Sequence, residues 1–274
     1  MSLKDILVHV DNNHTSTARV EAALTLATTY EAHLTGLYVI PQYFVPSYAE
    51  IHIPAEILER QAVEAQKEAE QAQALFTRLT AEARCPVEWR CQTGYVDQVL
   101  IAHARYTDVV VIGQAEEGGI LDPDSELEDQ MLLSSARPVL IIPYIGLQAP
   151  IGRRIMLAWK NTRETVRAVH DALPLLKAAD QVQVVMVNPK AKDGEAPTAD
   201  ICRHLQRHGV KVHPAHVVAR DIEVGDALLS RAADENIDLL VLGAYGHQRW
   251  RETVFGGVTR HLLQHMTVPV LMSH

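Results

Sequence analysis

The sequence predicts an α/β protein of two tandem domains, each a doubly wound α/β sandwich around a mainly parallel five-stranded sheet. Three observations predict it: the length, an internal repeat, and apolar strand-like runs that alternate with segments of helical period. The chain has 274 residues, of which 47% are hydrophobic and 22% charged, a globular balance that suits two domains of roughly 130–150 residues. Apolar runs without polar alternation are typical of parallel strands that helices cover on both faces.

Three strand-like segments of the first half recur in the same order in the second half. The offset falls from 149 at the first segment to 130 and 131 at the other two, which predicts an insertion after Pro41 in the first copy. We therefore expect domains at residues 1–147 and 152–274, joined by a linker at 148–152. The matching segments are 5–11 with 154–160, 108–113 with 238–243, and 137–142 with 268–272.

Segments with helical spacing follow the strands in both copies. Residues 55–84, rich in Glu, Gln and Ala, predict a long exposed helix in the first copy, and residues 198–208 predict a shorter counterpart in the second. The apolar faces that follow the first strand of each copy are Val20, Leu24 and Ala27, and then Val166, Val169, Leu173 and Leu176.

Composition excludes several classes of protein. The net charge is −9, which argues against a nucleic-acid binder, and three cysteines without a CxxC pair indicate a reducing cytoplasm rather than a disulfide scaffold. No apolar run reaches the roughly 18–20 residues of a membrane helix, and no secretion signal is visible at the start. The charge is uneven: residues 1–151 carry 9 basic and 21 acidic side chains, or −12, and residues 152–274 carry 16 and 13, or +3.

A glycine-rich segment follows the fourth strand of the second copy. Its glycines, Gly243, Gly246, Gly256 and Gly257, are spaced G-x2-G-x9-G-G, and Thr259 and a helix-like stretch come next. Glycines at the carboxyl end of a parallel strand allow a ligand close to the backbone, and the start of the next helix offers N–H groups to an anion. Three arginines (249, 251 and 260) and one acid make the segment positive. A tight turn with a helix cap would explain the same glycines.

Over nearly its whole length the sequence resembles the universal stress protein family, as two tandem domains of the adenine nucleotide alpha hydrolase-like fold. The family motif is G-x2-G-x9-G-[ST], and Gly257 stands here where the family has Ser or Thr. Lys160 stands where the family often has Asp. The resemblance implies that the ends of the first two strands of the second copy contact the nucleotide, around Ala158 and Val187. The implied nucleotide-binding residues are Ala158, Lys160, Val187, Gly243, Gly246, Gly256, Gly257, Val258 and Thr259.

The first copy departs from the motif. Glu116 replaces the second glycine, and seven acids but no basic residue lie between Gln114 and Gln130. A polyphosphate there would meet like charge. Asp11 keeps the family's first-strand Asp, but we expect a degenerate site and one nucleotide per chain.

The resemblance implies a cytoplasmic stress-response sensor or regulator that binds ATP or another adenine nucleotide, with or without Mg²⁺, and acts on a protein partner. Two alternatives stay open: an interaction module without nucleotide, and a slow ATPase. No nucleophile and base pair is recognisable, so no catalytic residue is predicted. No metal site is predicted either, since the histidine pairs 204/208 and 261/265 lack further ligands.

Each copy ends in an apolar strand that would otherwise be an exposed edge, at residues 139–142 and 268–272. We therefore expect the two copies to pack face to face as a pseudo-twofold pair that imitates the family's homodimer. A homodimer of the whole chain is a further expectation.

Overall fold

The computed structural model describes residues 2–42, 55–115, 127–147, 149–188, 198–219, 222–246 and 257–274. Ten strands and eight helices lie within these ranges. The strands are β1 (Asp5–His9), β2 (His33–Pro41), β3 (Val87–Gly94), β4 (Val109–Gly113), β5 (Val139–Ile142), β6 (Arg154–Ala158), β7 (Gln181–Val187), β8 (Val212–Val217), β9 (Leu239–Gly243) and β10 (Val270–Ser273). The helices are α1 (Ser16–Tyr30), α2 (Ala55–Thr80), α3 (Val96–Ala104), α4 (Leu127–Ser134), α5 (Arg163–Ala178), α6 (Ala199–Arg207), α7 (Val224–Asp234) and α8 (Gly257–His265).

All ten strands form one sheet in the order β3-β2-β1-β4-β5-β10-β9-β6-β7-β8. Each half contributes five strands, and every pairing within a half is parallel. This confirms the predicted α/β class and the parallel sheets. The strand order within each half reverses beside its first strand, so the chain winds to both sides of β1 and of β6.

The halves meet through their last strands, β5 and β10, which pair antiparallel. The central pair is Leu140 with Leu271, and these two residues occupy equivalent positions of the repeat, 131 residues apart. A pseudo-twofold axis therefore passes between them. The contact is edge to edge within one sheet and not face to face as expected from the sequence, because hydrogen bonds between the edge strands satisfy their backbone groups directly.

Helices cover both faces of the sheet, which is why its strands lack polar alternation. Ile6 faces the layer that contains α1, α2, α5 and α6, whereas its neighbour Leu7 faces the layer of α3, α4, α7 and α8. Both side chains are at most 1% exposed. Each layer contains buried side chains from both halves, so the apolar core is continuous across the β5–β10 junction.

The ends of two helices can be compared with those predicted from the sequence. The predicted long helix is α2, which ends at Thr80 rather than at residue 84, and its first turns are exposed. The shorter counterpart is α6, one residue inside the predicted limits at each end. No helix in the described ranges is long and apolar enough to cross a membrane.

Candidate functional site

The predicted contact residues of the second half end three neighbouring strands. Ala158 is the last residue of β6, Val187 the last of β7 and Gly243 the last of β9. Strand β6 lies between the other two, with Ala158 paired to Val185 and Leu157 to Val241. Their carboxyl ends therefore meet beside the point where strand order reverses, the place where open α/β sheets bind ligands.

The remaining predicted residues follow in the adjacent loops and in α8. Lys160 is exposed two residues after β6, and Gly246 is exposed three residues after β9. Gly256 lies outside the described residues, as do the arginines at 249 and 251. Gly257 begins α8.

The start of α8 is attached to the glycine loop. The Thr259 side chain is buried, and its Oγ1 accepts a hydrogen bond from the Tyr245 backbone N–H at 3.3 Å. Val258 packs against the core layer of α7 and α8. The Thr259 hydroxyl, which the sequence offered to a ligand, thus already fixes the loop. A Cβ at Gly257 would meet no atom of the described residues within 4 Å.

Two glycines of the motif lie close to the first turn of α5, and the first of them leaves no room for a side chain. A Cβ at Gly243 would lie 2.5 Å from the Glu164 carbonyl carbon and 2.5 Å from the Thr165 amide nitrogen. At Gly246 it would lie 3.1 Å from Glu164 Oε2 and 3.5 Å from Thr162 Oγ1. The first turn of α5 therefore fills the space between the loops that follow β6 and β9.

Glu164 is a residue that sequence reasoning missed. It is 5% exposed, and its Oε1 accepts a 2.5 Å hydrogen bond from Nε of Arg163, a side chain that is itself 84% exposed. Burial opposes its ionisation, but hydrogen bonds from the Arg163 side chain, from its own backbone N–H and from Thr162 outweigh burial and hold the pKa of Glu164 below its usual value. An ionised carboxylate thus lies in the crevice of the second half, defined here as the place where the loops after β6 and β9 meet the first turn of α5. The signal in the sequence was an acid in the first turn after Thr162, whose Oγ1 caps α5 by accepting from Thr165 N–H.

The equivalent crevice of the first half holds a different side chain. Arg19, 3% exposed, pairs with Asp11 at 2.6 Å, and its Nη1 would lie 2.9 Å from a Cβ at Gly113. A cavity of about 100 Å³ remains, with Glu128 among its lining residues. Burial and the nearby guanidinium lower the pKa of His9 to about 4, so this imidazole is neutral. Arg19 therefore occupies the space at the strand ends.

The glycine loop of the second half also contacts the first half. Tyr245, in the left-handed region with φ of 53°, donates a hydrogen bond from its hydroxyl to Asp129 of α4. In the opposite direction, the Gln114 amide donates to the carbonyl of Leu263 at 2.7 Å, in the last turns of α8. Burial and Asp129 raise the pKa of Tyr245, so the phenol keeps its proton.

Among the described residues, no group of three or more His, Cys, Asp or Glu side chains is placed to hold a metal ion. His204 and His208 have ring centroids 4.8 Å apart. His261 and His265 stack at 4.4 Å, and His261 pairs with Asp226 at 2.7 Å.

The solved structures that match nearly the whole chain have the same architecture. No curated protein matches the chain. Among solved structures, a universal stress protein from Archaeoglobus fulgidus is 15% identical, covers 98% of this chain and 95% of its own, and has a TM-score of 0.77. A protein of unknown function from Pseudomonas aeruginosa is 17% identical, with coverage of 99% and 92% and a TM-score of 0.63. A universal stress protein in complex with cAMP is 19% identical, covers 53% of this chain and 99% of its own, and has a TM-score of 0.35.

The sequence model of the universal stress protein family matches two stretches of the chain, residues 2–143 and 152–274. Each stretch contains one five-stranded half of the sheet with its covering helices. The protein thus belongs to the universal stress protein family, as two tandem copies of its domain.

Proposed function

We propose that the second domain binds one adenine nucleotide per chain, and that the protein is a cytoplasmic stress-response sensor or regulator that transmits the bound state to a protein partner. The adenosine part would lie against Ala158 and Val187 at the strand ends. A phosphate would lie at the start of α8, near Gly257, Val258 and Thr259. Gly256 completes the proposed motif from outside the described residues.

The difference between the two crevices is the observation that supports this proposal most. In the first, the Arg19 side chain and its ion pair with Asp11 occupy the strand ends, and about 100 Å³ remains. In the second, the residue equivalent to Arg19, 149 positions later, is Ala168, and Lys160 replaces Asp11. The second domain thus lacks the buried guanidinium and has a cation near the strand ends, in a half whose net charge is +3.

The start of α8 is the second support. Its first residue, Gly257, is exposed, and no atom of the described part of the chain would lie within 4 Å of a Cβ there. Helix N-termini favour anions because free N–H groups and the helix dipole point at them. Backbone donors remain available there even without the hydroxyl of the family motif.

Calorimetric titration of adenine nucleotides into purified protein tests the proposal. We expect one site per chain that Gly257→Asp abolishes, because a carboxylate would lie at the phosphate position. Gly257→Asn is the matched control: it has the same size without charge and should retain binding. Both variants should fold, since the space is open and an acid at a helix start is stabilising.

Two sites per chain, or equal affinity of the Asp and Asn variants, would contradict the assignment. Turnover near the ~10 s⁻¹ of a typical enzyme would favour an ATPase instead. The buried Glu164 carboxylate favours a second candidate, an interaction module without nucleotide. Absence of binding by every adenine compound would support that candidate.

A further inference from the structure

The first domain contains a cavity of about 260 Å³ below the last turn of α3, over the amino ends of β1, β2 and β3. The proposed nucleotide site, by contrast, lies in the other domain and at the carboxyl ends of its strands. The side chains that line the cavity include Asp5, Leu7, Thr35, Glu88, Arg90 and His103. Because most of them are polar or charged, the cavity is suited to a polar ligand.

The floor of the cavity is a row of three neighbouring strand residues. Leu7 of β1 pairs with Thr35 of β2, and Thr35 pairs with Glu88 of β3. Leu7 and Thr35 are both buried, so this row lies deep between the sheet and α3. An apolar surface therefore adjoins a carboxylate, and this arrangement fits a ligand with an aliphatic chain and a positive end.

The fixed charges around this floor are two carboxylates and one guanidinium. Arg90 donates to both oxygens of Glu88, from Nε at 2.8 Å and from Nη2 at 2.9 Å. Its Nη1 lies 3.2 Å from Nδ1 of His103. Burial and Arg90 lower the pKa of His103, so this imidazole is neutral and accepts the hydrogen bond. Within the described part of the chain the Asp5 carboxylate has no ion pair, and its charge is left without a balancing cation.

The second domain shows which group fits above such a floor. Gln183, the third residue of β7, is equivalent to Thr35, the third residue of β2, and the burial patterns of α7 and α3 align Arg231 with His103. Arg231 Nε donates to Gln183 Oε1 at 2.9 Å, so a guanidinium there lies between helix and sheet. In the first domain His103 is directed toward β3, where its Nε2 lies 3.0 Å from Oε1 of Gln92. The space that the Arg231 side chain takes in one domain is therefore a cavity in the other.

We propose that this cavity binds a small aliphatic guanidinium compound, whose charged group takes the place that Arg231 holds in the second domain. The guanidinium pairs with the carboxylates of Asp5 and Glu88, and the aliphatic chain contacts Leu7. The carbonyl end of α3 also favours a cation. A volume of about 260 Å³ holds only roughly nine water molecules, at ~30 Å³ each, and is below the ~300–1,000 Å³ of sites for drug-sized ligands. The ligand is therefore much smaller than a nucleotide, and the inference is independent of the proposed nucleotide site.

Calorimetric titration of the full chain with butylguanidinium and with butylurea tests the charge requirement. The two compounds have the same size and shape, but only the first is a cation. At pH 8 and low ionic strength, where salt screens least, we expect a dissociation constant of about 1 mM or below for butylguanidinium and at least about tenfold weaker binding of butylurea. Equal binding of the two compounds, or no binding of butylguanidinium, would overturn the inference.

Two variants test the location of the site. Asp5→Asn should weaken butylguanidinium binding at least about threefold, the range of an exposed ion pair. Asp200→Asn removes the same charge from an 85% exposed acid in α6 and should leave the affinity unchanged. Equal affinities of these two variants would overturn the assignment to this cavity.

The double variant Thr35→Gln with His103→Arg introduces the pair that the second domain already contains. Its own guanidinium should fill the cavity and weaken butylguanidinium binding at least about tenfold, while circular dichroism shows the fold retained. A folded double variant that binds as tightly as wild type would refute the proposed site. If the double variant does not fold, the comparison of Asp5→Asn with Asp200→Asn decides.

Discussion

Gly243→Ala should destabilise the protein without any ligand, although it adds one methyl group. The new carbon would lie 2.5 Å from two backbone atoms of α5, against 3.4 Å for the tightest ordinary contact, so β9 and α5 must separate by about 0.9 Å. Backbone atoms cannot rotate away as a side chain can. Overpacking of a core typically costs about 1–3 kcal/mol, and we expect the upper end of that range here.

Gly257→Ala is the matched control for this prediction, since it adds the same methyl group within the same motif. No atom in the described ranges lies within 4 Å of its Cβ, and alanine loses less backbone entropy than glycine in a helix. Its stability should stay within about 0.5 kcal/mol of wild type or rise slightly. Urea unfolding followed by circular dichroism, without nucleotide, measures both. A Gly243→Ala variant as stable as Gly257→Ala would refute the packing explanation of this glycine.

Three further predictions concern buried charge. Burial raises the pKa of Glu128 from 4.5 to about 7, so the contribution of Glu128 to the free energy of unfolding should fall as the pH rises between these values. Measured by urea unfolding, the Glu128→Gln variant should be more stable than wild type by about 3 kcal/mol at pH 8 and by less than about 1 kcal/mol at pH 5, and a constant difference would contradict this. Tyr245→Phe removes the hydrogen bond to Asp129 and should lower the free energy of unfolding by about 1.5–3 kcal/mol. A double-mutant cycle with Asp129→Ala should give a coupling energy above about 0.5 kcal/mol between the two residues. Arg19→Ala removes the cation that pairs with the Asp11 carboxylate and should lower the free energy of unfolding by about 3–5 kcal/mol. Adding Asp11→Asn to this variant should restore part of the lost stability. A double variant no more stable than Arg19→Ala would count against the ion pair.

The strands and their parallel pairing were predictable because the physical cause is visible along the chain. Ile6 and Leu7 face opposite layers, and both layers are apolar, so the pattern loses its polar alternation. The pairing of the last strands was also predictable from the apolar run that includes Leu140. The edge-to-edge geometry was not, since helices cover both faces of this strand and the sequence does not tell a face contact from an edge contact.

The side chains that lie at the strand ends of the two domains could not be predicted, because their positions depend on the direction in which one long side chain extends from its helix. Arg19 lies beside Val20 on the buried face of α1, and an arginine in such a pattern commonly extends to solvent. Glu164 follows a threonine N-cap, and an acid there is typical of any helix start. Arg19 lies beside Gly113 and Glu164 beside Gly246, 94 and 82 residues away in the sequence, so their placement depends on the tertiary fold.

The antiparallel pairing of β5 and β10 has a consequence for how the two domains can evolve. In a dimer of identical chains, each substitution appears at both sites and the association weakens on dilution. Here a short tether, residues 143–153, keeps the partner strand at a high local concentration whatever the amount of protein. One crevice can then acquire Arg19 while the other acquires Glu164, and neither change is imposed on its counterpart. Covalent fusion has released this sheet from symmetry.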